Sequence, residues 1–119
     1  MRHTQVCLIQ FMVKIQLRRS PQGAIQEVRC HGHAGFDDEG LDLVCAGVSA
    51  LVGYLGIAFS EIARLPAELS ADDGVFHLIL HEPMNPQQAA ASQLLLESFA
   101  AAVSQLAEHY QGYLELEVK

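Results

Sequence analysis

Apolar and polar residues alternate in the first well-patterned stretch of the chain. Val13, Ile15 and Leu17 are separated by Lys14 and Gln16, the period-two signature of a strand with one buried face. The apolar run Val6 to Val13, interrupted by Gln10, leads into it. That run is too short to span a bilayer and lacks a small-residue cleavage site, so it reads as the opening of the strand and not as a secretion signal. Arg18 to Gly23 supplies turn residues, and Ala24 to Cys30 returns at hairpin distance as a second strand. A Gly- and Asp-rich loop occupies Gly32 to Gly40. The pattern then changes: Asp42 to Leu65 has no proline and is apolar almost all round as far as Phe59. This predicts a helix buried on most faces or lying in a subunit contact. Asp42 suits its N-cap, which places Leu43, Val44 and Cys45 in the first turn. Pro66 and the polar stretch Ser70 to Gly74 end the helical region and enter a turn.

Val75 to Glu82 alternates again, with Phe76, Leu78 and Leu80 on one face and His77, Ile79 and His81 on the other. Asn85 followed by Pro86 marks a helix start, and that helix runs to about Tyr110 with Leu95, Phe99, Leu106 and Tyr110 as core candidates. Gly112 stops it, and Tyr113 to Val118 alternates as a last strand. The order β-β-α-β-α-β predicts an α+β fold: a mainly antiparallel four-stranded sheet with two long helices on one face. No repeat or linker divides the chain, so residues 1–119 read as one domain, with 1–11 as an N-terminal extra.

Composition narrows the function. Half of the 119 residues are hydrophobic and 18% are charged, the balance of a packed globule. The net charge of −7 leaves no basic face for direct nucleic-acid binding. It would attract a basic polypeptide, although simple solubility explains it equally. Three cysteines, Cys7, Cys30 and Cys45, without a CxxC pair argue against a disulfide framework and suit a reducing cytoplasm. Cys30, His31, His33, His77 and His81 are potential metal ligands. His77 and His81 stand roughly 13 Å apart on a strand, and His31 with His33 lacks a carboxylate or CxxC partner, so neither a metal nor a cofactor is expected.

The chemistry-bearing stretch runs from His31 to Cys45. It joins a histidine at a strand end to a cysteine at a helix start through a glycine-rich loop. Unpaired N–H groups and the dipole at a helix start favour a thiolate, and an imidazolium beside it does so further. A Cys–His pair can attack an acyl carbon and then protonate the leaving amine, with the same N–H groups holding the oxyanion. The plainer alternative makes Cys45 one more small residue of an apolar helix and His33 a loop residue.

Gly32-His33-Ala34, Gly40 and the block Asp42-Leu43-Val44-Cys45-Ala46-Gly47-Val48-Ser49-Ala50-Leu51 resemble the signature of the ribosomal-processing cysteine protease family, Prp. That signature has a GHA histidine, a short Gly-containing loop and a D-[IL]-V-C-A-A-V-S-type helix start. The likeness continues through the Asp73-Gly74 turn, the strand after it and Ser92 to Glu97, covering about residues 12–119. Gly47 stands where alanine is usual, a change that loosens a helix by about 1 kcal/mol.

The resemblance implies a cysteine endopeptidase that removes a short N-terminal extension from large-subunit ribosomal protein twenty-seven and so supports ribosome assembly. Cys45 would be the nucleophile and His33 the general base and acid. It further implies a homodimer, a mobile loop between the two residues, and a substrate that is apolar and aromatic before the cut and basic beyond it. Asp37, Asp38 and Glu39 are then candidate substrate-binding residues, electrostatically suited to the basic part; a solvated loop tip explains them equally. Ser49, one turn after Cys45, is either a packing hydroxyl, the simpler reading, or a pocket donor, and is carried as a substrate-binding candidate. Binding to a membrane is not expected. The competing class is a non-catalytic ribosome-assembly interaction module, which would bind the same ribosomal protein without cutting it.

Overall fold

A computed structural model describes residues 12–32, 39–72 and 74–119, with the backbone alone at 39–42. The elements are β1 (Val13–Arg19), β2 (Ile25–His31), α1 (Glu39–Ile57), a π-helical turn (Ala58–Ile62), β3 (Ala67–Asp72), β4 (Val75–Leu80), α2 (Pro86–His109) and β5 (Leu114–Val118). They form an α+β fold around one five-stranded mixed sheet of order β3-β4-β2-β1-β5. β3, β4, β2 and β1 are antiparallel neighbours, and β5 lies parallel to β1.

Two features differ from the sequence expectation. The sheet has five strands and not four, because Ala67–Asp72 forms β3 where a turn was expected. Its last strand is parallel to its neighbour, because α2 carries the chain from the far side of the sheet back to the same end of β1, a crossover that a parallel pair requires.

Period-two alternation decides the sheet's faces. Val13, Ile15, Leu17, Val28, Cys30, Phe76, Leu78, Leu80 and Leu114 are all buried. Leu17 stands opposite Val28, which stands opposite Leu78, so the apolar residues of three strands share a face. On α1, Val44, Val48 and Leu55 form a buried stripe at helical spacing, continued by Phe59 of the π-helical turn. The opposite face of this helix is open in the single chain: Leu43, Tyr54 and Ile57 are 60%, 64% and 53% exposed. Burial on most faces is therefore not achieved within one copy. Leu43–Ile62 is also long and apolar enough to cross a membrane by length and composition. After α1 the π-helical turn and Arg64, at a left-handed φ of 51°, reverse the chain towards β3.

α2 begins as its sequence predicts. The Asn85 side chain accepts from the Gln88 N–H at 2.8 Å, and the Gln88 side chain accepts from the Asn85 N–H at 3.0 Å, a complete capping box with Pro86 next in the chain. Its buried residues are Ser92, Leu96, Phe99, Ala100 and Val103. Of the expected core candidates only Phe99 is fully buried, while Leu95, Leu106 and Tyr110 pack at the margin. Gln93 of this helix faces the hairpin. Its side chain accepts from the Ile25 N–H and donates to the Ile25 carbonyl, each at 2.9 Å. Four residues on, Glu97 pairs with Arg19 at 2.6 Å. Replacing Asn85 with Ala should cost about 1 kcal/mol in chemical denaturation, since it orphans an N–H at the start of the longest helix.

The sheet's other face is polar. Glu27 accepts from Arg18 at 2.7 Å and pairs with His77 at 2.5 Å. Arg18 first, and His77 second, hold the Glu27 carboxyl below the usual carboxylate range. The histidine expected on the open face is thus a paired residue of the sheet. Among the described residues no group of three His, Cys, Asp or Glu side chains is arranged to hold a metal ion.

Candidate active site

The geometry of the candidate site starts with a glycine. At Gly32, just past β2, φ is 149°, and a Cβ would lie 2.6 Å from the Val13 Cα and 2.9 Å from the Met12 carbonyl oxygen. Both contacts are with backbone and cannot be relieved by a rotamer change, so only glycine lets the end of β2 pass the start of β1. Gly32 lines a groove of about 940 Å³, which also holds Cys45. His33 is the next residue in the chain and lies, with Asp37 and Asp38, outside the described residues.

One wall of the groove is α1. Cys45, Ser49, Val52, Gly53 and Gly56 follow one another along its length at helical spacing, and Ser60 of the π-helical turn extends the wall. The other wall is β3, with Leu69, Ser70, Ala71 and Asp72, and the ends of β1, β2 and β4 close the floor. Ser49 lines the groove one turn beyond Cys45 and is exposed there. Glu39 is the first residue of α1.

The helix start corrects one expectation. α1 begins at Glu39, three residues before the expected cap, so Gly40 and Leu41 are helical and not loop, and Asp42 lies inside the helix. Acidic residues are favourable in a first turn as well as at a cap, and Glu39 and Asp42 satisfy the first pattern. Cys45 therefore sits in the second turn. The helix dipole and the unpaired N–H groups act chiefly on the first turn, so activation of this thiol and stabilisation of an oxyanion depend less on the helix terminus than the sequence suggested.

Cys45 is half-buried and packs against the core cluster. Cys30, 7% exposed, also borders the groove. Burial pushes the Cys30 thiol up to about 11, with the nearby Cys45 as a second cause. Its strand puts the sulfur in the apolar face of the sheet, where the charged form is penalised. Cys7 lies outside the described residues.

The groove walls on β3 and on the second half of α1 were missed in the sequence. The signal was present: Ala67, Leu69 and Ala71 alternate with Glu68, Ser70 and Asp72, two residues before Val75.

A half-exposed thiol in the wall of a groove of about 940 Å³ is an arrangement that suits a cysteine hydrolase. The family model described as cysteine protease Prp matches residues 12–115. The ribosomal processing cysteine protease Prp of Bacillus subtilis is 30% identical over 107 residues, which are 88% of this chain and 96% of that protein. Two solved structures share the fold. One, from Streptococcus mutans, has a TM-score of 0.76 and 29% identity, covering 91% of this chain and 94% of its own. The other, Prp of Staphylococcus aureus in complex with a covalently linked product peptide, has a TM-score of 0.77 and 25% identity, covering 91% and 100%. The chain belongs to the Prp family and is a cysteine protease.

Proposed function

We propose that this protease removes the N-terminal extension of large-subunit ribosomal protein twenty-seven, with Cys45 as nucleophile and His33 as general base and acid. The observation that carries the assignment is the position of Cys45 in the groove that Gly32, the residue before His33, also lines. The Cys45 thiolate attacks the scissile carbonyl, and the peptide C–N bond breaks as His33 gives its proton to the leaving amine. The peptide's N-terminal part remains on Sγ as a thioester until water, deprotonated by His33, releases it. Cys30, buried and with a raised pKa, is the less suitable nucleophile.

Asp37, Asp38 and Glu39, in a chain of net charge −7, suit a substrate that is basic beyond the cut. Ser49 faces the groove from the turn after Cys45 and would donate a hydrogen bond to the peptide. No metal or cofactor enters this chemistry, and the cytoplasm, where ribosomes assemble, is the compartment that suits it.

The exposed face of α1, with Leu43 and Tyr54, is too apolar to leave in water and would be covered by a second copy in a homodimer. Light scattering of the purified protein at micromolar concentration should give twice the chain mass; a monomer mass would remove the dimer from the proposal. The function itself is tested with a synthetic peptide copying the N-terminal extension of the ribosomal protein from the same genome. Mass spectrometry should find a single cut behind the apolar segment. An intact peptide, or a genome whose ribosomal protein lacks the extension, would remove this substrate.

A further inference from the structure

Four consecutive residues of β3, Leu69 to Asp72, line the groove. Successive side chains of a strand point to opposite faces, so a groove bordered by all four runs along the strand's backbone edge. Among the described residues β3 ends the sheet, with β4 as its neighbour in the strand order. The ladder fixes which backbone groups point towards that outer edge. The His81 N–H donates to the Pro66 carbonyl at 3.0 Å, so 66 and 81 are a hydrogen-bonded pair. The register continues without a shift through Glu68 opposite Ile79, Ser70 opposite His77 and Asp72 opposite Val75. Hydrogen-bonded pairs recur at every second residue of an antiparallel ladder. The N–H and C=O groups of Ala67, Leu69 and Ala71 are therefore turned away from β4 and towards the edge.

We infer that the substrate binds as an added strand on this edge, its backbone hydrogen-bonded to Leu69 and Ala71. Every second side chain of the peptide then enters the space beside α1. This rests on the protease reading, since the occupant is the peptide that Cys45 cuts. The groove argues for that occupant in two ways. It extends from β3 to Cys45, so a strand seated on the edge leads to the nucleophile. On the α1 side it passes Gly53 and Gly56, where a Cβ at Gly53 would meet nothing within 4 Å and one at Gly56 would meet only the Phe76 ring at 3.9 Å, leaving room for large peptide side chains. Strand addition draws affinity from main-chain hydrogen bonds and specificity from alternate side-chain pockets, which suits an apolar substrate segment.

The test measures binding of the fluorescently labelled extension peptide to full-length Cys45→Ala protein, so that it does not depend on turnover. Peptides N-methylated at one backbone amide at a time should show weakened binding with a period of two along the segment before the cut. Ala71→Pro, combined with Cys45→Ala, should weaken the unmodified peptide about tenfold. The substitution removes an N–H that faces the edge and leaves the β4 ladder whole, as proline at an outward position of an edge strand does. Ala71→Pro alone should keep the wild-type rate of iodoacetamide labelling at Cys45, which reads an intact fold. A uniform N-methyl profile, an unchanged Kd with Ala71→Pro, or no binding by any peptide would overturn the inference. So would conversion of a dimer to a monomer by Ala71→Pro with peptide binding intact, which would assign the edge to a second copy. A period-two profile in a protein whose wild type does not cleave would sink the protease assignment of this substrate while leaving strand addition standing.

Discussion

Replacing Cys45 with Ala should reduce cleavage of the extension peptide by a factor on the order of 10³ or more, and His33→Ala should do nearly the same. Nucleophile and proton carrier act as one unit, so removing either forfeits most of what both supply. Proton transfer alone is worth roughly 10² to 10⁴ in rate. The loss should fall on kcat, because neither residue is needed to seat the peptide on the far side of the groove; the Cys45→Ala protein should still bind it. Cys30→Ser and Cys7→Ser should cleave at close to the wild-type rate, measured as product formed under saturating peptide. Cleavage at the wild-type rate by Cys45→Ala would end the assignment of the nucleophile.

The second large effect is the contrast between two thiols that share one groove. With its pKa pushed up to about 11, Cys30 has a thiolate share on the order of one in a thousand at pH 8, and its sulfur is buried. Cys45 is half-exposed in the groove and should be alkylated by iodoacetamide at least about a hundred times faster at that pH. Labelling at Cys30 should rise only as pH climbs towards its raised pKa. The same shift lowers stability with pH: the folded protein holds the Cys30 proton through a range in which the unfolded chain releases it, so this contribution is present below the ordinary thiol pKa and is lost above it. On the proposed pairing, His33→Ala should slow labelling at Cys45 near neutral pH, because an imidazolium beside a thiol favours the thiolate. Peptide mass mapping from pH 6 to 9 reads each thiol separately, and faster labelling of Cys30 than of Cys45 at pH 7 would contradict this account.

How far the sequence revealed the structure depends on which physical signal each element carries. β1 and β4 were legible because apolar residues at alternate positions are buried, as at Val13, Ile15 and Leu17 and at Phe76, Leu78 and Leu80, and β2 was legible from its hairpin distance to β1. The start of α2 was legible to the residue, since Asn85, Pro86 and Gln88 together specify a cap. β3 was missed although Ala67, Leu69 and Ala71 alternate with polar residues. Two of those three side chains are small, and an edge strand buries little, so the hydrophobic contrast is weak. The Asp73-Gly74 pair at hairpin distance was the stronger clue. The start of α1 was misplaced because an aspartate serves a cap and a first turn alike, and a single sequence does not rank the two.

Of the candidate site, Gly32 and Cys45 line one groove, while His33 lies outside the described residues. The glycine of the Gly32-His33-Ala34 motif has a steric reason in the close approach of the end of β2 to the start of β1. Leu69, Ala71, Gly53 and Gly56 carry no reactive group, so no chemical motif marks them; only the folding of β3 against the end of α1 brings them to the groove. Ser49, read as packing or pocket donor, is in the groove wall. The apolar character of α1 suggested a helix buried on most faces or lying in a subunit contact; the single chain buries one stripe of it and leaves Leu43, Tyr54 and Ile57 exposed.

The claim that Cys45 carries the reaction is tested most directly by trapping the covalent intermediate. Wild-type protein and the extension peptide are mixed, quenched in acid within the first turnover, and digested for peptide mass mapping. The account predicts a thioester-linked N-terminal fragment on the segment containing Cys45 and none on the segment containing Cys30. An acyl group on Cys30, or product formation with no acylated cysteine at any quench time short of one turnover, would contradict it.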